Sequence, residues 1–212
     1  MADSATMRPK EIESESFAII TRELGERTFS DDIAPVVKRV IHTTADFDYA
    51  DNLYFSQDAI ETARRVFREG GTIITDTNMA LAGISKPALE KLSMKAACLV
   101  ADGEVARRAK EEGVTRSRVA VDEALERFGD RPMIYAVGNA PTALLRLLEL
   151  TDARKRPALV IGVPVGFVNV VEAKEQLIVS DFPNITARGR KGGSNVAAAI
   201  CNALLYQYLG MR

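Results

Sequence analysis

One histidine occurs in the chain, His42, within Ile41-His42-Thr43-Thr44-Ala45-Asp46. Imidazole is the only side chain whose unperturbed titration lies near neutral pH, so His42 is the first candidate for moving a proton. The apolar spacing of Val36, Val37, Val40 and Ile41 puts it in the last turn of a helix, where the helix dipole favours a cation. Arg39 stands three residues earlier on the same face. A cation beside an acid suits an anionic ligand that must receive a proton. The competing reading is a histidine held by structural hydrogen bonds, and position alone leans to that one.

A second candidate is the segment Gly189-Arg190-Lys191-Gly192-Gly193-Ser194, which opens a predicted helix. Free backbone N–H groups, a helix N-terminus and two cations make an anion cradle. An ordinary tight turn explains the glycines equally well. Neither the Walker A spacing nor the dinucleotide fingerprint G-x-G-x-x-G is present. Thr115-Arg116-Ser117-Arg118 adds two cations before another helix, where a solvated charge run is the default. Asp46, Asp48 and Asp51 lack EF-hand spacing, which leaves turn-forming and orienting roles. Asp76 and Asn78 follow a strand, and a helix cap explains them more simply than a ligand contact. No Gly-x-Ser-x-Gly elbow occurs, and two lone cysteines with one histidine supply neither an activated nucleophile nor a structural zinc site. What the motifs leave is acid catalysis on a bound anion.

These residues need elements to position them. After a loose tail over residues 1–10, helical periodicity covers Ile12 to Leu24, and Ser30 is expected to cap the helix that ends at His42 to Thr44. Strands are expected at Leu53–Phe55, Thr72–Thr75, Ala97–Val100, Met133–Val137, Ala158–Val163 and near Ile185. Helices are expected from a Ser56 cap to Gly70, then at Glu104–Glu112, Ser117–Phe128, Asn139–Leu150, Val170–Leu177 and at the C-terminus. Such alternation predicts one α/β domain over residues 11–212, three layers α/β/α around a mostly parallel sheet. Ligands of such folds sit beyond the C-terminal strand ends. Three turns follow predicted strands there: Gly138-Asn139-Ala140-Pro141, Gly162-Val163-Pro164-Val165-Gly166 and Gly189 to Ser194.

Composition agrees with one sizeable core in 212 residues. With 28 Lys+Arg against 29 Asp+Glu there is no basic excess to bind nucleic acid. The longest apolar run, Pro157 to Val168, is too short and too interrupted to span a membrane, and the polar first residues carry no signal-peptide core. Cys98 and Cys201 lie in apolar segments, as in a protein of the reducing cytoplasm.

At these same segments the chain resembles the precorrin-8X methylmutase family, which includes the cobalt-precorrin-8 enzymes. The resemblance runs from Ser16-Phe17-Ala18-Ile19-Ile20 to the C-terminal helix. It is most specific at Ile41 to Asp46, Gly71 to Met79, Gly138 to Leu144, Gly162 to Val168 and Gly189 to Ala198. It implies an isomerase of cobalamin biosynthesis that moves a methyl group from carbon 11 to carbon 12 of the corrin macrocycle. In that family the histidine matching His42 protonates a ring nitrogen. No cofactor and no protein-bound metal is then required. The family's ligand contacts carry over to Ser16 and Arg39, while Arg116 and the turn Lys191, Gly192, Gly193, Ser194 are assigned to substrate carboxylates. Glu15 departs from the pattern, since relatives often have a basic residue there, and Thr43 and Thr44 stand where relatives vary. The resemblance also implies a homodimer with clefts near the subunit interface, and leaves open whether the ring holds cobalt. A corrinoid carrier without catalysis, and a phosphate-binding α/β enzyme, are the rival readings.

Overall fold

Thr72–Thr75, Met133–Val137, Leu159–Gly162 and Asn184–Ala187 are strands in which every residue is buried, as a parallel sheet covered on both faces demands. The computed structural model describes residues 8–150 and 156–211. Along the chain run α1 (Pro9–Leu24), α2 (Ala34–Thr44), α3 (Tyr49–Asn52), β1 (Leu53–Phe55), α4 (Ala59–Arg68), β2 (Thr72–Thr75), α5 (Asn78–Gly83), α6 (Lys86–Lys91), β3 (Lys95–Ala97), α7 (Gly103–Glu112), α8 (Arg116–Phe128), β4 (Met133–Val137), α9 (Pro141–Leu148), β5 (Leu159–Gly162), α10 (Val170–Val179), β6 (Asn184–Ala187) and α11 (Ser194–Tyr208).

The sheet has six strands in the order β1-β6-β5-β4-β2-β3. All pairs are parallel except β1 with β6. Alternation along each strand splits the core in two. Ile73, Ile134, Ile161 and Ile185 face α2, α4 and α11, whereas Ile74, Tyr135 and Val160 face α8, α9 and α10. The result is the expected three-layer α/β/α domain.

Several boundaries differ from expectation. Helix α1 begins at Pro9, so Pro9 and Lys10 belong to its first turn and not to a tail; residues 1–7 lie outside the described residues. Ser30 does not cap α2 through its side chain. Its carbonyl accepts the amides of Ile33 and Ala34 at 3.0 and 2.9 Å, and that turn delays the helix to Ala34. Ser56 does not cap α4 either. Its hydroxyl accepts the Asn184 amide at 2.9 Å, stitching β1 to β6. Strand β3 sits at Lys95–Ala97, two residues early, because Lys95 pairs with the first residue of β2. The short helices α3, α5 and α6 span too few turns to show a period. Thr77 and Ser85 cap the last two, accepting the amides of Ala80 and Ala88.

Candidate functional site

From β2 the chain runs outward to β3 through α5 and α6 on one face, then returns past β2 to β4 through α7 and α8 on the other. The crevice beyond β2 and β4 is therefore the topological switch point, where open α/β sheets hold ligands. Here it is filled by the protein. Asp76, 2 % exposed, accepts the amides of Gly138, Asn139 and Ala140 at 2.8, 2.8 and 2.7 Å. Burial pushes its carboxyl up, and the three amides oppose that shift. The Thr77 and Ser194 hydroxyls lie 2.7 Å apart. A Cβ at Gly138 would come within 2.8 Å of the Ser194 Cα, so glycine is required for the two turns to meet.

The Gly189–Ser194 turn also joins this edge. The Gly193 amide donates to Val163 at 2.9 Å, and that of Gly166 to Arg190 at 3.2 Å. Gly192 faces the Val163 carbonyl, which a Cβ would approach to 2.1 Å, and Gly193 has φ 138°. These two glycines thus serve turn packing whatever else they do. Lys191 donates to Asp46 and Asp48, each at 2.6 Å. The pairing raises the Lys191 ammonium and holds Asp46 below the usual carboxylate range. The three turns gather at one edge as expected, and Asp46 and Asp48 tie the Gly189–Ser194 turn to the chain after His42, whereas Asp51 pairs with Arg27.

Helix α2 buries Val36, Val37, Val40 and Ile41 against α1 and α11, which leaves His42 in its last turn and exposed. Its side chain forms no hydrogen bond among the described residues. Its ring stacks on Phe17 of α1, with centroids 5.1 Å apart and planes 11° apart. Structural hydrogen bonds therefore do not account for it. Arg39 lies over the same Phe17 ring at 4.8 Å and over Tyr206 at 5.3 Å. It is not a free cation, because Glu13 takes its guanidinium at 2.6 Å. A groove of about 840 Å³ between α1, α2 and α11 is lined by Glu13, Phe17, Lys38, Arg39 and Tyr206.

The remaining expected contacts scatter more widely. Ser16, one residue before Phe17, donates to the Ile12 carbonyl at 2.8 Å. Arg116 is exposed at the start of α8, with no carboxylate partner among the described residues. A Thr115–Thr142 hydrogen bond of 2.9 Å carries that end to the start of α9, beside the β4 turn. At the same strand ends Met79, Phe167 and Val168 are 74 to 81 % exposed, and Arg190 stacks over Phe167 at 5.4 Å. Neither thiol is primed for attack: burial pushes Cys98 up, and Cys201 to about 12.

Lys174 went unnoticed in the sequence. It is fully buried on α10, and its ammonium donates to the carbonyls of Gly189 and Lys191. The signal was a lysine at the apolar spacing of Val170, Ala173, Leu177 and Ile178. Glu13 was equally hidden, since its partner stands on another helix.

With this geometry in view, the comparisons with known proteins are concordant. A sequence profile described as precorrin-8X methylmutase matches residues 11–207. The cobalt-precorrin-8 methylmutase of Salmonella typhimurium is 48% identical, covering 94% of this chain and 95% of the relative. That of Priestia megaterium is 40% identical over 94% of this chain and 88% of its own. The precorrin-8X methylmutase of Pseudomonas aeruginosa is 37% identical, with coverages of 90% and 91%. Among solved structures, the precorrin-8x methyl mutase from Thermus thermophilus superimposes with a TM-score of 0.86 at 41% identity, covering 94% of this chain and 98% of that one. Fold and sequence thus converge on one conclusion: the chain belongs to the precorrin-8X methylmutase family, isomerases of cobalamin biosynthesis.

Proposed function

We propose that this chain moves the methyl group of cobalt-precorrin-8 from carbon 11 to carbon 12, giving cobyrinate, with His42 as the acid. The observation that carries the reading is the state of His42: the chain's one histidine stands exposed at a helix end, its ring nitrogens free of protein partners among the described residues. One carbon–carbon bond breaks and one forms within the same molecule, so no atom is lost and no electrons are exchanged. A proton lent to the adjacent ring nitrogen draws density from the accepting carbon and returns when the methyl has moved. The stack on Phe17 fixes the imidazole plane for that transfer. The relatives named for the cobalt form include the one at 48% identity, which supports the metallated substrate.

The macrocycle is a flat apolar ring with acetate and propionate arms. Arg116, Arg190 and the turn Lys191 to Ser194 suit the arms, and the exposed Met79, Phe167 and Val168 suit the ring. Ser16 and Arg39 are placed by α1 and α2 at the histidine end; Arg39 reaches a carboxylate by exchanging it for Glu13. A homodimeric, cytoplasmic enzyme with its clefts near the subunit interface completes the reading. No helix among the described residues is long and apolar enough to cross a membrane. A carrier role finds no support, since the curated relatives are named as mutases.

Purified wild type and His42→Ala protein, given precorrin-8 with and without cobalt, provide the test through the visible spectrum. Wild type converts the cobalt form, and His42→Ala binds it but turns over about 10² to 10⁴ times more slowly. Equal rates would make His42 structural, and binding without turnover by both proteins would revive the carrier.

A further inference from the structure

Lys174 has 0 % exposure, yet no carboxylate pairs with it among the described residues. Its Nζ donates to two carbonyl oxygens only, those of Gly189 at 2.9 Å and Lys191 at 2.7 Å. An ammonium buried without a counter-ion is costly, and an apolar side chain of the same length would pack α10 more cheaply. Its use must lie in what it holds. Every peptide bond here is trans, so each N–H points opposite to the carbonyl of its own peptide unit. The Gly189 carbonyl shares its unit with the Arg190 amide, and the Lys191 carbonyl with the Gly192 amide. Drawing both oxygens inward turns both amides away from α10. Neither amide donates a hydrogen bond among the described residues.

We propose that Lys174 is a positioning residue: a buried cation that holds the Gly189 and Lys191 carbonyls inward, so that the Arg190 and Gly192 amides face outward to bind one substrate carboxylate. This rests on the reading that the Gly189–Ser194 turn takes a carboxylate. The ammonium also places positive charge beneath the cradle, whose own Lys191 is spent on Asp46 and Asp48. Burial lowers the Lys174 pKa only to about 8, so the charge persists at neutral pH.

Turnover, product affinity and melting temperature of wild type, Lys174→Met, Leu177→Ala and Ser194→Ala test it. Leu177 is buried on the same helix with its side chain against Gly162 at the end of β5, so its truncation serves as the packing control. Lys174→Met should raise KM and the product Kd about tenfold or more with little change in kcat. Leu177→Ala should lower the melting temperature and leave KM in place. An equal rise of KM in Leu177→Ala would reduce Lys174 to a packing role and overturn the proposal. Wild-type KM in Lys174→Met with a raised KM in Ser194→Ala would also overturn it, while the turn keeps its carboxylate. Wild-type KM in both would sink the carboxylate reading itself, and the proposal with it. Should Lys174→Met fail to fold, the wild-type amide resonances of Arg190 and Gly192 decide. They must move downfield as cobyrinate is added, and amides that stay put refute the assignment.

Discussion

On α7, α8 and α9 every arginine except Arg116, at the first position of α8, finds a carboxylate, and often two. Arg127 holds Asp102 and Glu123, Arg146 holds Asp122 and Glu149, and Arg118 holds Glu149 through both oxygens. The sheet's C-terminal edge and the end of α2 are different. There His42 stacks on an aromatic ring with no polar partner, and Arg116 and Arg190 have no carboxylate among the described residues. Lys191 is paired, but through a bridge that sets a turn. Both regions are rich in charge, so composition does not separate them. Completion of the pairs does: a closed network has no use for an anionic ligand, whereas an open one gains from it.

Three substitutions would break or sharpen this contrast. The largest change is expected from Asp76→Asn, since a neutral amide cannot accept three N–H donors at the β4–α9 turn. A loss of about 2–3 kcal/mol follows, seen as a fall of several degrees in thermal melting; an unchanged midpoint would mean the turn holds itself. Next comes Glu13→Gln, which releases Arg39. If Arg39 exchanges Glu13 for a substrate carboxylate, product should bind up to about tenfold tighter by calorimetry, some 1.4 kcal/mol. Weaker binding would make Glu13 part of the binding surface instead. The smallest effect belongs to Arg118→Ala on the closed face. Glu149 is held down to about 2, first through its bond to Arg118 and then through Arg146. A depressed carboxylate contributes stability above its unfolded pKa and loses it as pH falls towards the folded value. Wild type should thus lose more stability than Arg118→Ala between about pH 4.5 and 2. At neutral pH the difference should stay under about 1 kcal/mol, because the pair is partly exposed. Any loss of turnover in Arg118→Ala would contradict the division between the two regions.

What could be read from the sequence was local. Runs such as Met133–Val137 announce buried strands, and the period of Val36, Val37, Val40 and Ile41 delivers His42 to a helix end. The glycines of the three turns mark where strands give way to helices. What could not be read was pairing across the chain. Arg39 and Lys191 look like free cations until Glu13, Asp46 and Asp48 arrive from 26, 145 and 143 residues away. Ser30 and Ser56 look like caps because local rules see only the following helix, whereas Ser56 spends its hydroxyl on β6. Lys174 is the most instructive miss, since a lysine inside an apolar face reads as a breach in the pattern until its two carbonyls are found.

The one antiparallel pair, β1 with β6, has a kinetic consequence. It sets Leu53 opposite Ala187, and the Arg188 amide extends the match to the Asn52 carbonyl at 2.8 Å. His42 at the end of α2 and the Gly189–Ser194 turn after β6 are thereby joined along one seam between distant parts of the chain. A ribosome makes His42 well before the Gly189–Ser194 turn. Closing so long a loop is slow compared with forming the helices in between. A nascent chain would thus reach much of its secondary structure before these two segments meet, in the step that joins β1 to β6.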